Sequence, residues 1–363
     1  MGDDLSPGVS LLFSPLTLRG TTFRNRAWVS PMCQYSATDG MPDDWHLVHL
    51  GARAVGGAGL VLTEATAVTA EGRISPQDTG IWDDTQAQAW ARIAAFVQAQ
   101  GAAAGMQLAH AGRKASTRRP WDGRGWVPPS DGGWQSVGPS PVGYDDWPAP
   151  RELSHGDLTA LTADFAAAAR RADEAGFDTV ELHAAHGYLL HEFLSPLTNI
   201  RTDGYGGGFE GRIRYPLEVV DAVRAVWPER KPLLVRISAT DWADGGWTVD
   251  ESVELSRLMA ARGVDLVDVS SGGLVPEQQI VTGPGYQVPY AGRIRREAGV
   301  GTGAVGLITE PQQAEKILVE GDADVVLLAR ELLRDPHWPL RAATELGVEV
   351  DWPEQYDRAR PRA

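Results

Sequence analysis

The chain has 363 residues, with 33 Lys and Arg against 48 Asp and Glu, which gives a net charge of −15. So acidic a chain repels phosphate backbones, which argues against nucleic acid, and one cysteine excludes an intramolecular disulfide, a zinc ribbon and an iron–sulfur cluster. It has no apolar run of about 18 residues to cross a membrane and no apolar signal segment near its N-terminus, so we expect a protein of the reducing cytoplasm.

Short apolar runs alternate with longer segments that have helical periodicity. The runs predict strands at Ala27–Met32, Gly59–Ala65, Ala104–Ala109, Thr179–His183, Leu233–Ala239, Leu266–Ser270, Ala304–Ile308 and Asp324–Ala329. The longer segments predict helices at His46–Val55, Thr85–Gln100, Leu158–Ala175, Ile213–Val226, Asp250–Arg262, Pro289–Ala298, Pro311–Glu320 and Leu332–Leu346. This alternation predicts an α/β fold, a single (β/α)8 TIM barrel over residues 1–363, with a doubly wound parallel sheet as the alternative.

Residues 112–154 interrupt this rhythm after the third strand. The stretch contains seven prolines and four tryptophans and has no helical period. A loop of this length inside a compact domain is usually functional, which favours a lid or an excursion on the substrate side over a merely decorative insertion. The tail, residues 351–363, is rich in Pro and Arg and is expected on the surface or against a neighbouring subunit.

Three adjacent predicted strands direct polar side chains into the barrel. Gln107 on the third strand, Glu181 and His183 on the fourth and Arg236 on the fifth alternate with apolar residues. Burying such groups unpaired costs several kcal/mol each. An ion pair between Arg236 and Glu181 is a structural alternative, but it leaves Gln107 and His183 unexplained. The pattern therefore predicts a polar ligand at the C-terminal mouth of the barrel.

The strongest local pattern is His183-Ala-Ala-His186-Gly-Tyr188. Two imidazole donors that converge on one oxygen suit an enolate-like anion, and a nearby phenol suits a proton donor. One alternative is a metal site, with His110 or His191 as a third ligand. Histidines satisfied by the backbone of the core are another alternative.

Further candidates follow the first and the last two strands. Gly306 lies in the predicted seventh strand and Arg330 ends the eighth, where barrels of this kind bind phosphate; for Arg330 a surface ion pair is the alternative. Cys33 and Tyr35 follow the first strand, although a lone cysteine is usually a small buried hydrophobe.

Together these residues resemble the Old Yellow Enzyme family of FMN-dependent ene-reductases, in particular its bacterial thermophilic-like branch, which includes xenobiotic reductases. The resemblance extends from about Leu12 to Arg358. Its motifs are SPMCQY (Ser30–Tyr35), GGAGLVLTEATAV (Gly56–Val68), GMQLAHAGRKA (Gly105–Ala115), ELHAAHGYLLHEFLSPLTN (Glu181–Asn199), RTDGYGG (Arg201–Gly207), AVGLIT (Ala304–Thr309) and ARELLRDP (Ala329–Pro336).

The resemblance implies a tightly bound, non-covalent FMN. The implied contacts are Ser30, Pro31, Met32, Cys33, Ala65, Gln107, Arg236, Gly306, Ala329 and Arg330. Ala329 replaces a glycine that is usual in the family, and its backbone N–H remains. NAD(P)H would be a transient hydride donor in a ping-pong cycle that reduces the C=C bond of an enone, enal or maleimide.

The resemblance also implies the roles of the substrate-side residues. His183 and His186 would bind the carbonyl oxygen and Tyr188 would donate the proton. Further substrate contacts are implied for Tyr35, Cys33, Lys114 and Arg358, the last entering the site of a neighbouring subunit in a homodimer or tetramer. A flavin-based redox sensor and a metal-dependent hydrolase that uses His110 with the two histidines remain the alternative functions.

Overall fold

Eight parallel strands form a closed barrel in the computed structural model, which describes residues 10–361; the N-terminal segment in which no signal was found lies mostly outside this range. The strands are β1 (Ala27–Val29), β2 (Leu60–Ala67), β3 (Ala103–Ala109), β4 (Thr179–Ala184), β5 (Leu233–Ser238), β6 (Leu266–Ser270), β7 (Gly301–Ala304) and β8 (Val325–Leu328). Each pairs with the next along the chain, and β8 closes the barrel on β1. The predicted TIM barrel is confirmed, and the doubly wound alternative is wrong.

Helices follow every strand. They are α1 (Asp44–Val55), α2 (Asp84–Ala99), α3 (His155–Glu174), α4 (Leu189–Leu194), α5 (Phe209–Val226), α6 (Val249–Ala260), α7 (Val288–Ala298), α8 (Pro311–Val319), α9 (Arg330–Arg334) and α10 (Trp338–Glu345). The helix predicted at Leu332–Leu346 is two helices, because Pro336 has no N–H to continue the hydrogen-bond ladder. Within residues 10–361, no helix has the length and apolar composition needed to cross a membrane.

Strand β7 lies three residues before its predicted start. Its sequence, Gly-Thr-Gly-Ala, contains two glycines, which are weak strand formers, so the apolar pattern placed the strand too late. Close packing explains the glycine at 303: a Cβ atom there would lie 2.4 Å from Leu327 Cδ1 on β8. Glycine here permits the close approach of neighbouring strands.

Residues 112–154 form a structured loop between β3 and α3. It contains short 3₁₀ helices at Gly112–Lys114, Pro120–Asp122 and Pro129–Asp131 and a two-stranded ladder of Val137–Gly138 with Arg151–Glu152. Trp134 attaches the loop to the neighbouring one, because its indole N–H donates to Glu71 O at 2.7 Å. That the loop is an insertion relative to other barrels stays a prediction.

The barrel interior has two layers. The lower layer, at the N-terminal ends of the strands, is apolar and consists of Phe23, Trp28, Leu60, Leu62, Leu234, Leu266, Val325 and Leu327. The upper layer, nearer the C-terminal ends, is polar and consists of Gln107, Glu181, His183, Arg236 and Asp268, all buried. On the outer faces of the strands, residues such as Val235 and Ile237 belong to the core shared with the helices. The upper layer is where the sequence predicts the site.

Candidate active site

The upper layer contains two carboxyl groups and one guanidinium. Gln107 Nε2 donates to Glu181 Oε1 at 2.8 Å. Arg236 Nε lies 3.0 Å from Asp268 Oδ2, although the N–H is too oblique for a good hydrogen bond. The carboxylate in contact with Arg236 is therefore Asp268 on β6, not Glu181 as in the structural alternative. Asp268 was missed, yet the same signal marks it: a charge at an inward position of an apolar strand, in register with Arg236.

The protonation of this layer follows from its burial. Burial raises the pKa of Glu181, and the Asp268 charge raises it further, while Arg236 opposes the rise. Burial likewise raises the pKa of Asp268 against the effect of Arg236. Two carboxyl groups that face one guanidinium favour the retention of one proton, and the layer is then neutral overall.

The three predicted catalytic residues lie on a tight turn after β4. His186 (φ +59°) and Gly187 (φ +75°) both have left-handed backbones, and a Cβ atom at 187 would lie 2.4 Å from Gly273 O, so this position requires glycine. The turn sets the ring centroids of His183 and His186 5.2 Å apart and those of His183 and Tyr188 5.0 Å apart. The structure thus brings together all three side chains that the sequence predicts to act as one unit.

Lys114 supports this turn through its ammonium group. Its Nζ donates to His186 O and Gly273 O, both at 2.8 Å, and lies over the rings of Tyr188 (5.2 Å) and Tyr144 (4.8 Å). Burial, with the neighbouring Arg113 charge, lowers the pKa of Lys114 to about 8. The ammonium group thus bridges the backbone of the turn, at His186, to the backbone of Gly273, and its predicted contact with substrate stays a prediction.

His191, which the sequence suggests only as a possible metal ligand, also supports the turn. Its Nδ1 accepts from Gly187 N at 2.9 Å, so its Nε2 carries the hydrogen and donates to Asp241 Oδ1 at 2.8 Å. Asp241 Oδ2 accepts from Ser195 Oγ (2.6 Å) and Trp247 N (2.7 Å). Burial would raise the pKa of Asp241, but His191 and these donors lower it overall. This network ties the turn to the loop after β5.

The protonation of the three predicted catalytic side chains follows from their surroundings. Burial, reinforced by Arg236, lowers the pKa of both His183 and His186 well below the ordinary value, so both imidazoles are neutral at pH 7. Burial raises the pKa of Tyr188 well above 10, so its phenol keeps its proton. His186 Nε2 lies 2.7 Å from Ser270 Oγ, while the buried His183 Nδ1 has no hydrogen-bond partner in the described part of the chain.

The segment after β1 lines the same mouth. Cys33 and Tyr35 pack with Ala65 and Tyr188 in one cluster, and Ala65 pairs with Gln107 just beyond a bulge in β2. Burial raises the pKa of Cys33 well above 9, with Asp78 and Glu64 acting in the same direction, so the side chain is a thiol. Pro31 and Met32 connect this cluster to β1.

A cavity of about 210 Å³ opens beside the last two strands. Three arginines line it, Arg236, Arg330 and Arg334, against one carboxylate, that of Glu331. Gly306 and Ala329 also line it, as the sequence predicts. Gly306 has φ +119°, and a Cβ atom there would lie 2.8 Å from Gln287 Nε2 and 3.0 Å from the Tyr286 ring, so only glycine leaves this cradle open. The excess of positive charge suits a phosphate group.

Two residues that the sequence suggests for the site lie apart from the upper layer and its cavity: Arg358, a predicted substrate contact, and His110, a possible metal ligand. Arg358 is on an exposed 3₁₀ helix, Glu354–Ala359, in the tail. His110 Nδ1 accepts from the backbone of Gly112. No group of three or more His, Cys, Asp and Glu side chains in residues 10–361 has the arrangement of a metal site.

Comparison with known proteins identifies the family. The sequence profile of the NADH:flavin oxidoreductase / NADH oxidase family matches residues 11–349. The chain belongs to this family. It is 50% identical over 352 residues to an NADPH dehydrogenase of Geobacillus thermodenitrificans, covering 96% of this chain and 98% of that protein. It is also 46% identical over 369 residues to an NADH:flavin oxidoreductase of Gibberella zeae, covering 96% of this chain and 89% of that protein.

A solved structure of morphinone reductase in complex with tetrahydroNAD has the same fold, with a TM-score of 0.78 at 27% identity over 97% of this chain and 99% of that one. The family confirms the predicted class, an NAD(P)H-dependent, FMN-containing oxidoreductase of the ene-reductase type. The metal-dependent hydrolase alternative is wrong.

The residues present fit FMN. Ser30 Oγ, Glu181 Oε2 and His183 Nδ1 are buried atoms without a hydrogen-bond partner within residues 10–361, and all belong to the upper layer or its rim. Buried polar atoms in native proteins usually have a hydrogen-bond partner, so three unpaired ones at the same end of the barrel suit a polar ligand. The neutral, polar layer and the arginine-lined cavity beside Gly306 match the two ends of this cofactor, a polar ring system and a phosphate.

Proposed function

We propose that this chain uses NADPH to reduce the C=C bond of α,β-unsaturated carbonyl compounds such as enones, enals and maleimides. One observation carries the proposal. At the mouth of a flavin-binding barrel, the ring centroids of two neutral imidazoles, His183 and His186, lie 5.2 Å apart, and the protonated phenol ring of Tyr188 lies 5.0 Å from that of His183. The names of relatives about half identical to this chain, NADPH dehydrogenases, support NADPH as the donor.

The upper layer and its rim would hold the cofactor. Ser30, Pro31, Met32 and Cys33 would follow one edge of the ring, and Ala65, Gln107 and Arg236 would hold its pyrimidine end. Gly306, Ala329 and Arg330 would bind the phosphate in the cavity that they line. When bound, FMN would supply the redox chemistry of the reaction, the transfer of a hydride from NADPH to the β-carbon of the alkene. Arg236 contributes the cation that stabilises negative charge beside it.

His183 and His186 would donate hydrogen bonds to the carbonyl oxygen of the substrate. Because both are neutral, each has one N–H, and Ser270 selects which nitrogen of His186 carries it. Ser270 Oγ lies 2.7 Å from His186 Nε2 and 3.3 Å from Gln287 Oε1, so its one hydrogen has two acceptors within reach. When it donates to His186 Nε2, the shorter of the two contacts, the hydrogen of His186 is on Nδ1. Nδ1 is also the atom that His183 leaves unpaired. Two such donors withdraw electron density from the alkene and stabilise the developing oxyanion.

Tyr188 would deliver the proton to the α-carbon. Its raised pKa keeps the proton on the phenol until a carbon with enolate character accepts it. Tyr35 and Cys33, which pack in the same cluster, would shape the pocket around the alkene.

Arg358 would complete the site of a neighbouring copy. Gln355 lines a groove with Arg24 and Gln100, which precede β1 and β3, so the tail lies against the N-terminal face of the barrel. Arg358 is three residues further, about 6 Å of 3₁₀ helix, whereas β5 alone is about 20 Å long. The arginine is thus too far from its own catalytic mouth, which supports a homodimer or tetramer in which it enters the partner's site.

The test separates the two half-reactions of the purified holoenzyme under anaerobic conditions. We expect NADPH to bleach the flavin absorbance, and cyclohexenone or N-phenylmaleimide to restore it with formation of the saturated product. Tyr188→Phe should slow only the second half-reaction. Rapid bleaching without reoxidation by any enone would contradict the proposal and favour a flavin-based redox sensor.

A further inference from the structure

A basic segment, residues 113–124, lies beside the mouth of the barrel in an otherwise acidic protein. Residues 113–124 contain five Lys and Arg, three of which are Arg118, Arg119 and Arg124, against one acidic residue, Asp122. The whole chain has a charge of −15. Proposed FMN and substrate contacts use none of these three arginines, so their charge requires another explanation.

Trp121, in the middle of this segment, adjoins the proposed substrate pocket. Its ring meets the ring of Tyr35 edge to face, with centroids 5.9 Å apart. It also lines a cavity of about 510 Å³ together with Cys33, Gln34 and Trp45. Yet the indole is 61% exposed, which is unusual for so large an apolar side chain. An exposed aromatic ring beside a cavity is suited to stacking with a planar ligand.

Arg119 lies beside this ring, Arg118 and Arg124 lie within three residues of Trp121 in sequence, and all three have weak or replaceable partners. The Arg119 guanidinium lies 5.3 Å from the centre of the Trp121 ring, and its Nε pairs with Asp122 at 2.6 Å. Arg118 Nη2 lies 3.7 Å from Asp131 Oδ2. For Arg124, no carboxylate lies within 4.0 Å in the described part of the chain. Exposed ion pairs of this kind contribute little, and a phosphate offers arginine a stronger, bidentate partner.

We propose that Trp121 and the three arginines bind the adenosine end of NADPH, with the adenine on Trp121 and the 2′-phosphate on Arg118, Arg119 and Arg124. The chain would therefore prefer NADPH over NADH, which lacks that phosphate. This inference rests on the proposed function, because it locates the donor of the same site. A basic entrance also offsets the repulsion between an anionic coenzyme and an acidic protein.

The first test measures binding without any redox step. The holoenzyme is titrated calorimetrically with adenosine 2′,5′-bisphosphate and with 5′-AMP. Hydrogen bonds to charged groups predict that the bisphosphate binds about 10–100-fold more tightly than AMP. In R118Q/R119Q/R124Q the two affinities should come within about 3-fold of each other.

A matched control is R92Q/R257Q/R296Q. These three arginines are exposed and each pairs with a carboxylate, as Arg118 and Arg119 do, but they lie on α2, α6 and α7. The control should bind both nucleotides as the wild type does. W121A should weaken both nucleotides by a similar factor, about 5–50-fold, because the adenine is common to them.

The second test follows flavin reduction. The Kd for NADPH, obtained from the dependence of the flavin reduction rate on NADPH concentration, should rise about 10–100-fold in the arginine variant. The preference of the wild type for NADPH over NADH should disappear in this variant. A wild type that discriminates neither the nucleotides nor the coenzymes would overturn the inference, as would an arginine variant that loses both coenzymes equally. A wild type that no nicotinamide reduces would instead contradict the proposed function.

Discussion

Leu234 and Arg236 lie two residues apart on β5 and both point into the barrel, yet they belong to layers with opposite tasks. Leu234 packs among the apolar side chains of the lower layer. Arg236 faces two carboxyl groups and atoms that lack partners within residues 10–361. The lower layer therefore stabilises the barrel, whereas the upper layer costs stability until a ligand satisfies it, about 1–3 kcal/mol for each unpaired buried group.

The largest effect is expected in the lower layer. Trp28→Ala removes a fully buried indole, so the free energy of unfolding should fall by about 3–5 kcal/mol, as measured by denaturant titration. The half-exposed tail residue Trp352 is the control, and its replacement by Ala should change stability by less than about 1 kcal/mol. Equal effects at both positions would show that the lower layer is not the main source of stability.

In the upper layer the effect should fall on catalysis. His183→Ala removes one donor to the substrate oxygen, so reoxidation of the flavin by cyclohexenone should slow about 10²–10³-fold in single-turnover measurements. Reduction by NADPH should stay within about 3-fold, because no negative charge develops on an oxygen when NADPH gives up its hydride. His155→Ala, at an exposed histidine on α3, is the control. An unchanged reoxidation rate in His183→Ala would refute the assigned role.

A buried carboxyl group outside both layers, that of Glu192, should make the stability of the fold depend on pH. Burial raises the pKa of Glu192 on α4 to about 8, whereas the unfolded chain releases this proton near 4.5. The folded state therefore binds more protons between these values, and its stability falls as pH rises. From pH 5.5 to 7.5 this amounts to about 2–3 kcal/mol, which Glu192→Gln should remove and Glu297→Gln, at an exposed site, should not. Identical pH profiles for Glu192→Gln and the wild type would contradict this assignment.

The smallest effect concerns the hydroxyl that orients His186. Ser270→Ala should slow only the reoxidation step, about 3–10-fold, because His186 then selects its tautomer without help. Ser270→Thr keeps the hydroxyl and should restore the rate, which distinguishes positioning from packing. Equal rates in Ala and Thr variants would remove Ser270 from the mechanism.

The sequence predicts the barrel and the polar upper layer because both depend on alternation along strands. Gln107, Glu181, His183 and Arg236 stand out as polar residues at inward positions, and Asp268 obeys the same rule although it was missed. The supports of the catalytic turn escaped because they depend on contacts between distant residues: Lys114 with Gly273, and His191 with Asp241 across 50 residues. The glycine-rich strand β7 and the loop at residues 112–154 have no periodic pattern of apolar residues, so the bounds of the strand and the structure of the loop could not be predicted from the sequence.

The most direct test of the division between the layers is a titration of flavin-free protein with FMN, followed by quenching of flavin fluorescence. Arg236→Gln and Leu234→Ala change the same strand in different layers. We predict that Arg236→Gln weakens FMN binding about 10–100-fold, whereas Leu234→Ala keeps the Kd within about 3-fold despite a loss of about 2–5 kcal/mol in stability. Unchanged affinity in Arg236→Gln, or an equal loss in both variants, would contradict the account.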